Sequence, residues 1–171
     1  MLGTLKEALA RQFEAAFCTL DACVRAAPLD AWNAPVANLA FCQVAFHTLF
    51  FADYYLGPNP EALRGQQFHL DHQASFRDYE ELEDRPQRLF YAKPFLEAYL
   101  QHCRDKATRT LVAETAETLG GPSWFKHGVS RVEVHVYNIR HIQHHAAQLS
   151  LRLRLDFKVE IPWIGSGWRD V

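Results

Sequence analysis

The stretch FCQVAFHTLFFADYYL, residues 41–56, is apolar on nearly every side of a helical wheel. No face of such a helix favours water, so it cannot lie on a surface and has to be enclosed by other elements. Three further segments carry the one-sided apolar spacing of helices able to enclose it. In residues 4–27, Leu5, Leu9, Phe13, Phe17, Leu20 and Val24 recur at steps of three and four, Thr4 and Glu7 form a capping box, and Pro28 stops the run. The central helix itself is expected over 38–56, with Asn38 as its cap after the loop LDAWNAPVAN and Gly57–Pro58 as its stop. A third helix is expected from about Pro94, with Leu96, Tyr99, Cys103, Ala107 and Leu111 on one side, ending between 113 and 119 before GGP.

The fourth segment carries two conflicting signals. Val132, Val134 and Val136 alternate as in a strand, and residues 149–161 alternate more strictly still. Ser130 with Glu133 nevertheless makes a capping box, and Val129 with Val134 a hydrophobic staple around it. The reading is therefore a helix from 130 to about 154, followed by an extended tail ending in PWIGSGW. The expected fold is all-α, an antiparallel four-helix bundle formed by residues 1–171 as one domain, with a long polar loop over 57–92 and an extended C-terminal tail.

Composition narrows the function classes. A chain of 171 residues suits one domain and buries enough surface to need no disulfide. Its 18 Lys and Arg against 20 Asp and Glu leave a net charge of −2, without the basic excess of a nucleic-acid binder. No apolar run exceeds four residues, so no segment reads as a membrane span, and the first residues lack the apolar stretch of a signal peptide; a cytoplasmic protein is expected. Cys18, Cys23, Cys42 and Cys103 show no C-x-x-C spacing, and all four read as reduced, buried side chains.

The anomaly is histidine: nine in all, five of them between His127 and His145. In NIRHIQHHAAQL, His141 and His145 lie four residues apart, hence on one helix face and about 6 Å apart along the axis, a spacing that lets two imidazoles meet one metal ion. His144 points about 100° away from His145, toward solvent or an outer shell. His47 sits mid-way along the apolar helix; taken alone it also fits a core histidine bonded to a carbonyl or to Tyr54. Central positions on two antiparallel helices share one depth, so His47, His141 and His145 can converge on one ion and leave positions open. Two alternatives are weaker. His69 and His72 lie in an acidic loop, and His135 is six residues from His141 and reads as a core histidine.

Trp32 before the second helix, FCQVAFHTLFFADYYL, HIQHHAAQL and the closing PWIGSG together resemble the DinB/YfiT-like superfamily over most of the chain, with residues 58–92 the least typical part. The H-x-x-H-H-x-G-Q form common in that family has Gly where this chain has Ala147. The resemblance implies a four-helix bundle in which His47, His141 and His145 bind one divalent ion, nickel or zinc. It also implies transferase or isomerase chemistry with a low-molecular-weight thiol, mycothiol, bacillithiol or glutathione. The expected partners are that thiol and an electrophile, with no nucleic acid, no membrane, and a homodimer left open. Asn138 and Gln148 flank the histidine face and are candidates to orient ligands or substrate. Metal-assisted hydrolysis is the rival, although no carboxylate lies within a turn of any ligand; a non-catalytic stress-response binding protein is the other. The run DYEELED reads as a solvated face, and Phe68, Phe76 and Tyr79 as a cover that packs on the bundle and borders the site.

Overall fold

The computed structural model describes residues 1–77 and 87–166. The fold is all-α. Among the described residues there are eight helices and one two-stranded hairpin. Four helices are long: α1 (Leu2–Ala26), α3 (Phe41–Leu56), α6 (Lys93–Ala113) and α8 (Arg131–Phe157). The short ones are α2 (Leu29–Trp32), α4 (Glu61–Arg64), α5 (Gln67–Asp71) and α7 (Ala116–Gly120). No helix of the described residues is long and apolar enough to cross a membrane.

The principal packing forms a ring in which α1 and α3 each touch both α6 and α8. At its centre lie Phe13, Phe17 and Leu20 of α1, Phe41, Phe46, Leu49 and Phe50 of α3, Leu96, Tyr99 and Cys103 of α6, and Ile142, Ala146 and Leu149 of α8. The contacts give the chain directions. His47 meets His145 while Tyr55 meets Tyr137, so α3 and α8 are antiparallel. Lys6 reaches the carbonyl of Val112 while Lys93 reaches that of Arg25, so α1 and α6 are antiparallel too.

The other two pairs run parallel. Phe46 lies beside Phe95 and Asp53 beside Lys106; Phe13 lies beside His135 and Cys23 beside Ala146. The expectation of a wholly antiparallel arrangement fails at these two pairs. A parallel neighbour cannot follow a tight turn, because the chain must first travel back along α3, which at 16 residues is about 24 Å long. That return is the task of the segment after Gly57. It is not merely a polar loop: it holds α4 and α5, and sends Leu63, Phe76 and Tyr91 into the core.

Several boundaries also differ from expectation. The Thr4–Glu7 box does not form; α1 starts at Leu2 with no side-chain cap, and Glu7 pairs with Arg11 instead. Asn38 caps nothing, because Pro35–Val36 and Leu39–Ala40 pair as a hairpin closed by Ala37 in the left-handed region (φ 58), which delays α3 to Phe41. At α8 the capping signal wins over the alternation: the Ser130 hydroxyl accepts from the Glu133 amide and the helix runs to Phe157. Beyond Lys158 the tail is extended, with Val159 and Ile161 resting on the core. Tyr79 and the run DYEELED lie outside the described residues.

Candidate metal centre

Three histidines meet between α3 and α8. His141 and His145 project from adjacent turns of α8, and the antiparallel α3 brings His47 opposite both. Ring centroids lie 5.5 Å apart for His47–His141, 4.8 Å for His47–His145 and 4.7 Å for His141–His145. One nitrogen from each falls within 4.8 Å of the others, so the three can hold a metal ion. Among the described residues no other group of His, Cys, Asp and Glu has this property.

The register that makes this meeting is set by polar clamps. The buried Asn138 donates from Nδ2 to the carbonyl of Ala52 (2.9 Å), tying α8 to α3 one turn from His141. The Arg131 guanidinium donates to the carbonyls of Tyr55, Leu56 and Gly57, where α3 ends and its carbonyls lack helical partners. Asn138 thus fastens the two helices through its amide nitrogen.

The donor set suits a cation. His141 Nε2 is buried with no hydrogen-bond partner, a costly state for a polar atom unless something completes it. Burial, then the neighbouring His145 and His47, depress the His141 pKa to about 3, against a hydrogen bond with the Thr48 backbone. Burial likewise pulls His145 down to about 4, despite its bond to Gln148. Both rings are therefore neutral near pH 7, the form that binds metal. Gln148 fixes which nitrogen is offered. Its amide group donates to His144 Nε2 (3.2 Å), so its Oε1 faces His145 and accepts from Nδ1 (2.8 Å). His145 Nε2 then carries the lone pair. Three imidazoles fit a divalent ion of the zinc or nickel kind and leave coordination positions for other ligands.

The remaining histidines are placed elsewhere. His144 is exposed and outside the cluster. His135 is a core histidine, its Nε2 2.9 Å from Glu114, its pKa lowered by burial. His69 and His72 hold no ion together: His69 lies 2.7 Å from Asp53 and His72 bonds the carbonyl of Phe68. Phe68 and Phe76 do pack on the core, but against Phe95 and Tyr99 of α6, whereas the three histidines lie between α3 and α8. The described part of the crossover is therefore no cover for this centre.

All four cysteines are reduced and buried. Burial pushes the Cys23 thiol up to about 12 and raises Cys42 and Cys103 as well, so these offer no thiolate at neutral pH. Sequence reasoning missed two polar clusters: Asp53 with Gln66, His69, Tyr99 and Lys106, and Glu114 with Arg131 and His135. An Asp inside an otherwise apolar helix was the available signal for the first.

Comparison with known proteins gave no matching family model, no matching curated protein and no matching solved structure.

Proposed function

We propose that the chain is a DinB-like four-helix-bundle enzyme that binds one nickel or zinc ion through His47, His141 and His145 and acts as a thiol transferase or isomerase. The observation that carries this reading is the convergence of three imidazoles with one buried nitrogen left unpaired. The ring of four long helices supports the bundle, and the resemblance of FCQVAFHTLFFADYYL and HIQHHAAQL to DinB/YfiT-like sequences supports the class. When bound, a divalent ion held by three neutral ligands supplies Lewis acidity that makes a thiol or a water a nucleophile near neutral pH.

The chain's own residues do the positioning. Gln148 holds His145 in one tautomer, and Phe51, 4.9 Å from the His47 ring, and Tyr55, 5.9 Å from the His141 ring, shield one side of the centre from water. The buried cysteines leave the sulfur to be supplied by a small thiol such as mycothiol, bacillithiol or glutathione.

The test begins with elemental analysis of protein purified without a metal-affinity tag, expected at close to one ion per chain and lost in His47→Ala. Cobalt-substituted protein is then titrated with the three thiols, and a sulfur-to-cobalt charge-transfer band is expected. Full occupancy with no band for any thiol would redirect the reading to hydrolysis or to binding alone. Absence of metal uptake would end it.

A further inference from the structure

Beside the histidine centre lies a depression of about 530 Å³ lined by His141, Tyr137, Arg140, Gln143, His144 and Ala147, a size ordinary for small-molecule sites. A second hollow of about 220 Å³ also has Tyr137 and Arg140 in its wall, together with Phe125 and Lys126. Tyr137 and Arg140 stand in the wall of both, and the two hollows together make a trough from His141 toward the loop before α8.

A series of aromatic contacts links the histidine centre to this trough. From His47 the contacts run to Phe51 (4.9 Å between centroids), from Phe51 to Tyr55 (5.7 Å), and from Tyr55 to both Tyr137 (5.3 Å) and Phe125 (4.5 Å). Phe125 and Tyr137 close the set at 5.6 Å. Of these rings Phe125 and Tyr137 line the second hollow; Phe125 is half-buried and Tyr137 is 43% exposed, so the wall offers ring surface to an incoming molecule. Arg140 stands at the junction, exposed and in no ion pair among the described residues. Lys126 adds a second cation, and Glu133 lies at the far end.

We infer that this trough binds the electrophilic substrate, and that this substrate is a small aromatic carboxylate. The inference rests on the reading of His47, His141 and His145 as the reacting centre. The ring of the ligand lies against Tyr137 and Phe125, where offset or edge contacts between aromatic groups are favourable. Its carboxylate meets Arg140, whose planar fork matches two oxygens at once. The rest of the molecule is directed along the trough to His141. A neutral ring lacks the partner for Arg140, and a short aliphatic acid lacks the contact with the wall.

The experiment measures binding of para-fluorobenzoate and para-fluorobenzyl alcohol by fluorine NMR, to metal-free and to zinc-loaded protein, with butanoate as a competitor. A charge-assisted pair implies that metal-free protein prefers the benzoate by about tenfold or more. Arg140→Gln should remove that preference while leaving the alcohol unchanged, Tyr137→Ala should weaken both, and butanoate should compete poorly. Both side chains are exposed, so the variants should fold, which circular dichroism checks. Equal binding of the two probes, binding of neither, or indifference of the benzoate to Arg140→Gln overturns the inference. So does benzoate binding that needs zinc and ignores Arg140, since the ion alone would then recruit the carboxylate. Zinc content is measured in parallel. Arg140-dependent binding that survives in His47→Ala sustains the trough even if the metal reading fails, and a metal-loaded protein without it removes the trough alone.

Discussion

Helix α3 presents a polar side chain to each of two neighbours: His47 toward α8 and Asp53 toward α6. Both end in clusters that contain histidine, and the two clusters are finished differently. Asp53 is fully buried, and around it stand Lys106 Nζ at 2.5 Å, His69 Nε2 at 2.7 Å, Gln66 Nε2 at 2.8 Å and the Tyr99 hydroxyl at 3.0 Å. Burial alone would raise its pKa, but the bonds from His102 and His69 and the charge of Lys106 hold it well below the usual carboxylate range. The Asp53 charge is met there by a cation and by three hydrogen-bonding groups. The group around His47 contains imidazoles and no carboxylate, and one buried nitrogen has no partner. A histidine that meets a carboxylate has one ring nitrogen tied into the fold. Histidines that meet only each other remain available to a cation.

The sharpest way to break this contrast is Asp53→Ala, which strands Lys106 and His69 without their anion. Loss of one member of a buried ion pair costs about 3–5 kcal/mol, read by urea unfolding; a cost below about 1 kcal/mol would mean the cluster is not what holds α5 and α6 to α3. His47→Ala should do the opposite. Metal-free stability should move by about 1 kcal/mol or less, while the stabilisation of about 2.7 kcal/mol given to wild type by free zinc at a hundred times its Kd should vanish.

Acid should separate the buried histidines from Asp53 by pH. His69, His135, His141 and His145 are all held below the ordinary 6.5, the last two at about 3 and about 4. The unfolded chain therefore binds protons first, so stability is full above pH 6.5 and declines as pH falls toward 3. Asp53 shifts the same way from a lower start: its contribution is present above the unfolded value of 3.8 and is lost as pH falls below it. In metal-free protein, changing His141 and His145 to Ala should flatten only the upper limb of a melting-temperature scan. Flattening below pH 4 alone would reverse the assignment.

The smallest effect expected is at the outer edge of the centre. Gln148→Leu should weaken zinc binding by about tenfold, since groups that orient a ligand histidine typically matter at that level. His144→Ala should cost less and leave the ion bound. Titration against a competing chelator measures both, and equal loss for His144, His141 and His145 variants would place the cluster on the wrong face of α8.

The three histidines were legible because each signal is local: a spacing of four on one helix and one polar ring in an apolar segment. The helix stops at Pro28, Gly57 and Pro58 were legible for the same reason. What escaped is set by distant partners. Asp53 and Lys106 are 53 residues apart, and Glu114 finds Arg131 and His135 only once α7 has turned the chain. The parallel α3–α6 pair was written in the length of the segment after Gly57, a distance the chain needs in order to come back. The false caps at Thr4 and Asn38 show a different limit, since a side-chain signal yields when the neighbouring backbone finds better pairing, as residues 35–40 do in their hairpin.

The pairing of α3 with α6 on one side and α8 on the other also fixes an order of events during synthesis. All the described partners of Asp53 lie at or before residue 106, so they are synthesised before α8. The histidine centre cannot exist until α8 has emerged as well, because two of its three members are there. An ion held by these three histidines would therefore be taken up only after the C-terminal helix has docked.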